Sequence, residues 1–524
     1  MLIEQHHKKK EIREMKYDVI VMGAGHNGLV AAAYLAKAGY KPVVVEKYDV
    51  IGGAARTEEI HPGFWGNTAC LGILFWFREE IIEDLELKKF GLELTRSPEP
   101  MATMVFPDGT YLRSYADPQK TAEEFGKFVE TDREAYLNYA QNWGLLKQFI
   151  DPAMMRPPIP IEKVISGLSA SPKGKELAGR LFFKRLRDYL DDIFESEKVK
   201  TFMSVFGLDG SPYGPSALDM ASSTFHTIMG TRYQYVKGGI GNIPKAIGKA
   251  AESYGATIRT SSPVKRILVE GEKVTGVELD SGEILESEIV VSNADTSATF
   301  LDAMDPKDLP SDFLRMARER DRRFKGTMPQ INIAMSELPD FGIPEECYEG
   351  GVLFLPSLDA AEKSWFDYTR GEIPEEPFVW AIAPSVLDDT IAPRGKHIFM
   401  FCPMPWPYKL ARGTWDERKE ESLEKALNYI ERFDPKFRQK IIHTYINTPL
   451  DLERKMGLRR GDVFHATATW DNLLDYRPFP GYSDYRTPVK GLYLCGGDCH
   501  PGAGIGGMPG HNAAMAVLED LKKK

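Results

Sequence analysis

The chain has 524 residues, 43% of them hydrophobic and 27% charged, and its formal net charge is −10 at pH 7. Such a composition is typical of a globular protein, and the length predicts more than one domain. Because the charge balance is acidic and no basic domain stands out, we expect no nucleic-acid partner.

Targeting and membrane signals are weak in this sequence. Residues 1–16 contain no apolar central region, so they predict no secretory signal. The longest strongly apolar run, residues 71–77, is far shorter than the roughly 20 residues of a membrane-spanning helix. The five cysteines are mostly scattered, which fits a reducing compartment. We therefore expect a cytoplasmic protein, for which peripheral membrane contact stays open.

A glycine motif follows the first predicted strand. Residues 19–21 are apolar and β-branched, and Gly23-x-Gly25-x-x-Gly28 leads from them into a helix predicted over residues 29–38. Because Gly25 has no Cβ, the backbone there can approach a pyrophosphate, and the helix N-terminus offers unpaired N–H groups to the anion. The motif predicts a dinucleotide site; the alternative is a glycine turn in an ordinary βαβ unit.

Glu46 strengthens the prediction of a dinucleotide site. It ends the second predicted strand, residues 41–45, where a carboxylate can accept hydrogen bonds from both hydroxyls of an adenosine ribose. The same carboxylate would repel a 2′-phosphate, so FAD or NAD fits better than NADP. Gly52-Gly53 and Arg56 follow, and adjacent glycines with a fixed cation can wrap the phosphates.

The C-terminal end of the chain has a similar succession of strand, glycine-rich loop and helix. A predicted strand, residues 491–497, runs into Asp498, and a glycine-rich loop then leads into a helix predicted from residue 512. Asp498 can accept a hydrogen bond from a ribityl hydroxyl, and backbone amides near Gly507 and Met508 can bind the N1/C2=O edge of a flavin. These additional contacts favour FAD over NAD.

Changes in the hydrophobic periodicity of the sequence divide the rest of the chain into segments. Residues 78–230 have mainly helical periodicity, as over 125–149 and 175–194, and predict an inserted cap. Alternating strands over 264–291 predict a β-meander, and later strands with a helix over 417–433 predict a second, sheet-based domain. The predicted segments are 17–77 (cofactor domain, first part), 78–230 (helical cap), 231–300 (cofactor domain, second part, with the meander), 301–485 (substrate domain) and 486–524 (cofactor domain, third part).

Five sequence stretches carry a resemblance to a known family. They are YDVIVMGAGHNGLVAAAYLAKAG (17–39), GGAARTEE (52–59), VKGGIGNIPKAI (236–247), PSVLDDTIAPRGKH (384–397) and GLYLCGGDCHPGAGIGGMPGHNAA (491–514). The chain resembles the phytoene-dehydrogenase-like FAD oxidoreductases, which include carotenoid desaturases and isomerases, retinol saturase and the pyridine nucleotide-disulfide oxidoreductase domain protein 2 type. The resemblance implies an α/β fold with a glutathione-reductase-type FAD domain and an apolar substrate tunnel between it and the second domain.

The motifs and the resemblance together predict an FAD site and no metal site. The C-terminal stretch departs from relatives at Asp498, where they often carry a small residue, and this strengthens the FAD prediction. The predicted cofactor-binding residues are Gly23, Gly25, His26, Asn27, Gly28, Glu46, Lys47, Gly53, Ala54, Arg56, Val264, Gly497, Asp498, Gly507 and Met508.

The predicted reaction is hydride transfer between flavin N5 and an apolar, isoprenoid- or lipid-like substrate, as C=C desaturation or saturation. A quinone, oxygen or a diffusing carrier would serve as the external electron acceptor. His500 is the first candidate for the catalytic proton partner, ahead of His226, Tyr235 and His511. The alternative for His500 is a structural histidine that is hydrogen-bonded inside the glycine loop. Redox-neutral isomerisation, amine oxidation and non-enzymatic binding of a prenylated or lipid partner are the alternatives. The sequence leaves the substrate and the oligomeric state open.

Overall fold

The structure is a computed structural model that describes residues 17–74, 76–209, 211, 213–217, 220–224, 233–323 and 327–523. The strands in chain order are β1 (Val19–Met22), β2 (Pro42–Val45), β3 (Thr57–His61), β4 (Phe64–Asn67), β5 (Ala102–Val105), β6 (Tyr111–Ser114), β7 (Thr257–Arg259), β8 (Val264–Glu270), β9 (Lys273–Leu279), β10 (Ile284–Glu286), β11 (Val290–Ser292), β12 (Gln330–Met335), β13 (Gly351–Phe354), β14 (Phe378–Ile382), β15 (His397–Met404), β16 (Ile441–Asn447) and β17 (Leu492–Leu494).

The α-helices connect and cover these strands. In chain order they are α1 (His26–Lys37), α2 (Glu79–Asp84), α3 (Pro118–Gly126), α4 (Thr131–Ile150), α5 (Ile161–Leu168), α6 (Pro172–Phe183), α7 (Leu186–Asp191), α8 (Glu197–Leu208), α9 (Asn242–Ser253), α10 (Ser311–Arg322), α11 (Leu358–Thr369), α12 (Trp415–Glu431), α13 (Pro449–Met456) and α14 (Met508–Lys522). None of the helices in the described ranges is both long and apolar enough to cross a membrane.

A five-stranded parallel sheet in the order β17-β11-β1-β2-β7 forms the first layer. Strands β1, β2, β11 and β17 are buried, which explains their continuous apolar runs, whereas the edge strand β7 is partly exposed. Helix α1 packs against α9 and α14. The predicted first strand, helix and second strand are confirmed, and α1 begins at His26, three residues before its predicted start at 29.

The predicted β-meander is also present. Strands β8, β9 and β10 form an antiparallel three-stranded sheet with tight connections at Gly271 and Gly282, both of which have a positive φ. These turns occur at the Gly-Glu and Ser-Gly positions that the sequence marks.

A seven-stranded mixed sheet in the order β16-β12-β15-β14-β13-β5-β6 forms the second layer. Strands β12, β14, β15 and helix α12 lie where the sequence predicts them, whereas β13 and β16 were missed. The β13–β5 pair is parallel and the other pairs are antiparallel. The sheet thus contains strands from two distant parts of the chain.

The mainly helical interpretation of residues 78–230 needs a correction. Helices α2 to α8 lie in this segment, but its hairpin β5–β6 belongs to the edge of the seven-stranded sheet. Strand β5 is only four residues long and fully buried, and so short an apolar run carries no decisive periodicity. The single helices predicted over 125–149 and 175–194 are each divided into two, α3–α4 and α6–α7. The α/β class, with a second sheet and a helical part, is confirmed.

Candidate cofactor-binding cavity

A cavity of about 570 Å³ extends across the carboxyl ends of the parallel sheet. Gly23 follows β1, Glu46 follows β2, Asp295 follows β11 and Gly497 follows β17, and all four line the cavity. Strands β2 and β7 lie on one side of β1, whereas β11 and β17 lie on the other. The order therefore reverses beside β1, and such a switch point is where open α/β sheets bind ligands.

The glycines of the first turn are required by close packing. A Cβ at Gly25 would lie 2.6 Å from Asn293 Nδ2, and a Cβ at Gly28 would lie 2.2 Å from the Gly23 carbonyl oxygen. Gly23 has a φ of +101°, which side chains rarely adopt. Gly28 is buried in the helix and does not line the cavity, so its contribution is to let α1 approach β1.

Helix α1 directs its N-terminus toward the cavity. His26 and Asn27, its first two residues, both line the wall, and Gly25 before them brings no side chain to cap the helix. The amides of the first turn and the helix dipole therefore remain available for an anion. Asn27 Oδ1 is buried without a hydrogen-bond partner in the described part of the chain. These features fit a diphosphate at this position.

Glu46 is held in a fixed position at one end of the cavity. Its Oε2 accepts a hydrogen bond from the backbone N–H of Ala24 at 2.7 Å, and its Oε1 accepts one from the N–H of Tyr48 at 3.0 Å. The carboxylate thus links the end of β2 to the glycine turn. Further residues predicted to bind the cofactor line the same cavity, namely Lys47, Gly53, Ala54 and Val264.

Arg56 lies behind this end of the cavity rather than in its lining. Its Nη1 donates to the carbonyl oxygen of Lys455 at 3.3 Å, and its guanidinium carbon is 5.5 Å from the centre of the Tyr48 ring. Among the described residues, Nε and Nη2 have no hydrogen-bond partner although both atoms are buried. Buried donors without a partner are costly, so this cation fits a site that an anion completes.

Of the C-terminal residues predicted to bind the cofactor, some line the cavity and others lie outside its lining. Gly497 lines the cavity, whereas Asp498 is behind the wall: Arg320 donates to its Oδ1 from Nη2 at 2.6 Å, and the N–H of Thr296 donates to its Oδ2 at 2.7 Å. Gly507 and Met508, at the start of α14, also lie outside the lining. Ten of the fifteen predicted cofactor residues therefore lie together in the cavity wall: Gly23, Gly25, His26, Asn27, Glu46, Lys47, Gly53, Ala54, Val264 and Gly497.

The predicted catalytic residue lies elsewhere. His500 is 1% exposed, pairs through Nε2 with the carbonyl oxygen of Ala153 at 3.2 Å, and lines a separate cavity of about 10 Å³. Burial lowers the pKa of His500 to about 4. Tyr235 and His511 do not line the large cavity either, and His226 lies outside the described residues. The catalytic role of His500 stays a prediction.

The cavity also has an apolar wall next to the seven-stranded sheet. The indole of Trp76 lies on Gly504, where a Cβ would be 1.7 Å from Trp76 Cε3. Within the apolar run 71–77, Leu74 and Phe77 are core residues, and Phe75 lies outside the described residues. The apolar wall consists of Leu71, Ile73, Trp76, Met328 and Trp380, with Cys70 and Asp209 also lining the cavity.

Sequence reasoning missed several lining residues. Asp295, His465 and Met456 all face the cavity, and they come from a strand end, an irregular loop and the end of α13. Asp295 lies three residues after the buried strand β11, near the position at which parallel sheets present side chains to ligands, so that signal was available. His465 and Met456 follow no motif, and only the packing of their segments brings them to the wall.

Comparison with known proteins agrees with the family resemblance found in the sequence. Residues 28–377 match the model of a family described as flavin containing amine oxidoreductase. The chain is 35% identical to pyridine nucleotide-disulfide oxidoreductase domain-containing protein 2 of Rattus norvegicus, over 97% of this chain and 94% of the rat protein. It is 26% identical to a zeta-carotene-forming phytoene desaturase of Myxococcus xanthus, over 93% and 90% of the two chains.

Solved structures with low sequence identity share the fold. The crystal structure of an oxidoreductase from Methanosarcina mazei superposes with a TM-score of 0.64 at 17% identity, covering 96% of this chain and 100% of that one. Cyclohexylamine oxidase from Brevibacterium oxydans gives a TM-score of 0.59 at 20% identity, with 97% and 99% coverage. These similarities concern the fold over the whole chain.

Proposed function

Because the chain belongs to the flavin-containing amine oxidoreductase family, we propose that it moves a hydride between FAD and an apolar, isoprenoid- or lipid-like substrate. Family membership confirms the predicted FAD cofactor, the predicted oxidoreductase class and the resemblance to phytoene-dehydrogenase-like enzymes. Family membership also disfavours the alternative of a non-enzymatic protein that binds a prenylated or lipid partner. FAD, when bound, supplies the two-electron acceptor or donor, and the protein supplies binding, orientation and exclusion of water.

The observation that carries this proposal is the apolar wall of the cavity. Ile73, Trp76 and Trp380 line the same cavity as the glycine turn, so a substrate against them would share the space with the cofactor. An apolar wall binds a hydrocarbon through the area removed from water, about 25 cal/mol per Å². The similarity to a phytoene desaturase supports an isoprenoid in this space.

A second candidate function is amine oxidation, and Asp209 is the observation that favours it. Asp209 directly follows helix α8, is 8% exposed and lines the cavity. A buried carboxylate near an apolar wall can pair with the ammonium group of an amine whose remaining atoms are apolar. Redox-neutral isomerisation would use the same space and is separated from both by the assay below.

The experiment compares substrates under anaerobic conditions. The oxidised holoenzyme is mixed with isoprenoid alkenes or with primary amines, and the flavin absorbance band is followed while products are identified by mass spectrometry. We expect an alkene to bleach the band and to yield a product with two hydrogens fewer. Reoxidation with oxygen or a quinone then tests the external electron acceptor. Bleaching by amines alone would favour the second candidate, and a mass-neutral product would indicate isomerisation.

Two variants locate the substrate. Ile73→Asp places a charge in the apolar wall, and we expect kcat/KM for the alkene to fall at least roughly tenfold, because a buried unpaired charge is costly. Ile165→Asp is the matched control, since Ile165 is 37% exposed on α5. Asp209→Asn should leave alkene turnover unchanged under the first proposal and weaken amine turnover under the second. Equal activity of the Ile73 and Ile165 variants would contradict a substrate against the apolar wall.

A further inference from the structure

His465 has an unusual backbone conformation. Its φ is +51°, and the next residue, Ala466, has a φ of +66°. Two consecutive non-glycine residues in the left-handed region are uncommon, and each costs free energy unless the surroundings hold it there. Such positions occur preferentially at functional sites, so the contacts of His465 need an explanation.

Buried charged groups hold this backbone. The His465 carbonyl oxygen accepts hydrogen bonds from Arg320 Nη2 at 3.0 Å and from Arg477 Nη2 at 3.1 Å, and both arginines are at most 3% exposed. At the opposite edge of the same peptide group, Asp462 Oδ2 accepts a hydrogen bond from the N–H of Ala466 at 2.6 Å. Three buried charged groups therefore hold the peptide group between His465 and Ala466 in place.

The imidazole points to the cavity. It lines the cavity wall, and a Cβ on Gly497 would lie 2.7 Å from His465 Cδ2, so the ring rests on a glycine that has no room for a side chain. Its Nδ1 is 4.0 Å from Asp498 Oδ2. The ring consequently lies between the open space and the carboxylate that the sequence assigned to the ribityl chain.

The order of the strands places His465 relative to an elongated cofactor. Glu46 marks one end, at β2, and Gly497 with His465 marks the other, at β17, while the N-terminus of α1 lies between them. If Glu46 holds the adenosine ribose and α1 the diphosphate, the molecule continues past β11 toward β17. The half of FAD that begins with the ribityl chain then passes the imidazole.

We propose that His465 binds the ribityl half of FAD, in the place that the sequence assigned to Asp498. An imidazole offers two ring nitrogens for hydrogen bonds, which suits a hydroxylated chain. Asp498 is behind this contact, engaged by Arg320 and by the N–H of Thr296. The assignment rests on FAD as the cofactor of the proposed reaction.

The test measures binding of the whole cofactor and of its adenosine half separately. Apoprotein is titrated by calorimetry with FAD and, in a second experiment, with ADP. We expect His465→Ala to weaken FAD binding roughly tenfold and to leave ADP binding unchanged, since one hydrogen bond to the ribityl half is lost. Glu46→Gln should weaken the binding of both ligands, because its partner is in the half that they share.

Two further variants separate binding from folding. His465→Asn keeps a side chain that tolerates the left-handed conformation and can hydrogen-bond, so it should retain FAD binding within about threefold of the wild type. His443→Ala is the control, because His443 is exposed on β16 and does not line the cavity. We expect it to change neither titration.

The outcomes distinguish the two proposals. If the wild type binds FAD and His465→Ala binds it equally well, the assignment of His465 is wrong and the proposed function stands. If His465→Ala loses ADP binding to the same extent as FAD binding, the residue does not act on the ribityl half, and the assignment is again wrong. A wild-type protein that cannot bind FAD would overturn the proposed function together with this assignment.

Discussion

At Gly25 the lack of a side chain is what leaves space in front of helix α1. A Cβ there would lie 2.6 Å from Asn293 Nδ2, and the branched side chain of valine would also extend into the space that the diphosphate needs. The neighbouring loop also lies close to this turn, since a Cβ on Gly53 would be 3.2 Å from Gly25 Cα. A larger side chain at Gly25 would therefore have to displace the Asn293 amide as well as occupy the space in front of the helix.

We therefore expect Gly25→Val to purify without flavin absorbance and to remain colourless after incubation with FAD. Gly179→Ala is the matched control, because Gly179 lies in helix α6 and a Cβ added there would meet no atom within 4 Å. Alanine stabilises a helix by roughly 0.5–1 kcal/mol relative to glycine, so this control should fold and retain its flavin. A yellow Gly25→Val protein would contradict the position assigned to the diphosphate.

At the scale of elements, the wall of the cavity near β17 is held by helix α10 through Arg320. This side chain donates to Asp498 Oδ1, to Asn472 Oδ1 and to the carbonyl oxygens of Pro478 and His465. Both members of the ion pair with Asp498 are 3% exposed. One buried arginine thus connects a helix, a strand end and an irregular segment.

Truncating this arginine should destabilise the fold. We expect Arg320→Ala to lower the free energy of unfolding by about 3–5 kcal/mol, because it leaves a buried carboxylate uncompensated. Arg315→Ala on the same helix is the control; Arg315 is 65% exposed and pairs with Glu319, and such pairs contribute about 0–1 kcal/mol. Urea unfolding of both variants measures the difference. Equal losses would show that the buried network is not a major source of stability.

At the scale of the whole molecule, two buried histidines contribute to the pH dependence of stability. Burial lowers the pKa of His26 and of His500 to about 4, from an ordinary value near 6.5. Both are neutral at pH 7 in the folded and unfolded chain. Below pH 6.5 the unfolded chain takes up protons that the folded protein does not, so stability is lost as the pH falls toward 4. The slope approaches about 1.4 kcal/mol per pH unit for each histidine.

His500→Asn tests this expectation without reference to catalysis. We expect the loss of unfolding free energy between pH 7 and pH 5 to be smaller by about 2 kcal/mol in the variant than in the wild type, at equal FAD concentration. His443→Asn, at an exposed position on β16, is the comparison variant. An unchanged pH dependence in His500→Asn would mean that this imidazole is not held neutral by burial.

The amino-acid sequence by itself determined the first half of the cofactor site. Gly23, Gly25 and Glu46 belong to one contiguous β1-α1-β2 unit, whose pattern of strand, glycine turn, helix and strand is local in the sequence. The β-meander was predicted for the same reason, because its turns and alternation are local. The short buried strand β5 was not, since four buried residues fit a strand or a helix equally well.

Only the tertiary structure decided which side chains face the cavity. Asp498 and His465 are distant in the chain from Arg320, yet this arginine binds the Asp498 carboxylate, which lies outside the cavity lining, and the carbonyl oxygen of His465, which lines it. The apolar wall likewise combines Ile73 and Trp380, which the two sheets bring to one cavity. The direction of a side chain depends on partners contributed by other segments, and packing rather than local pattern selects those partners.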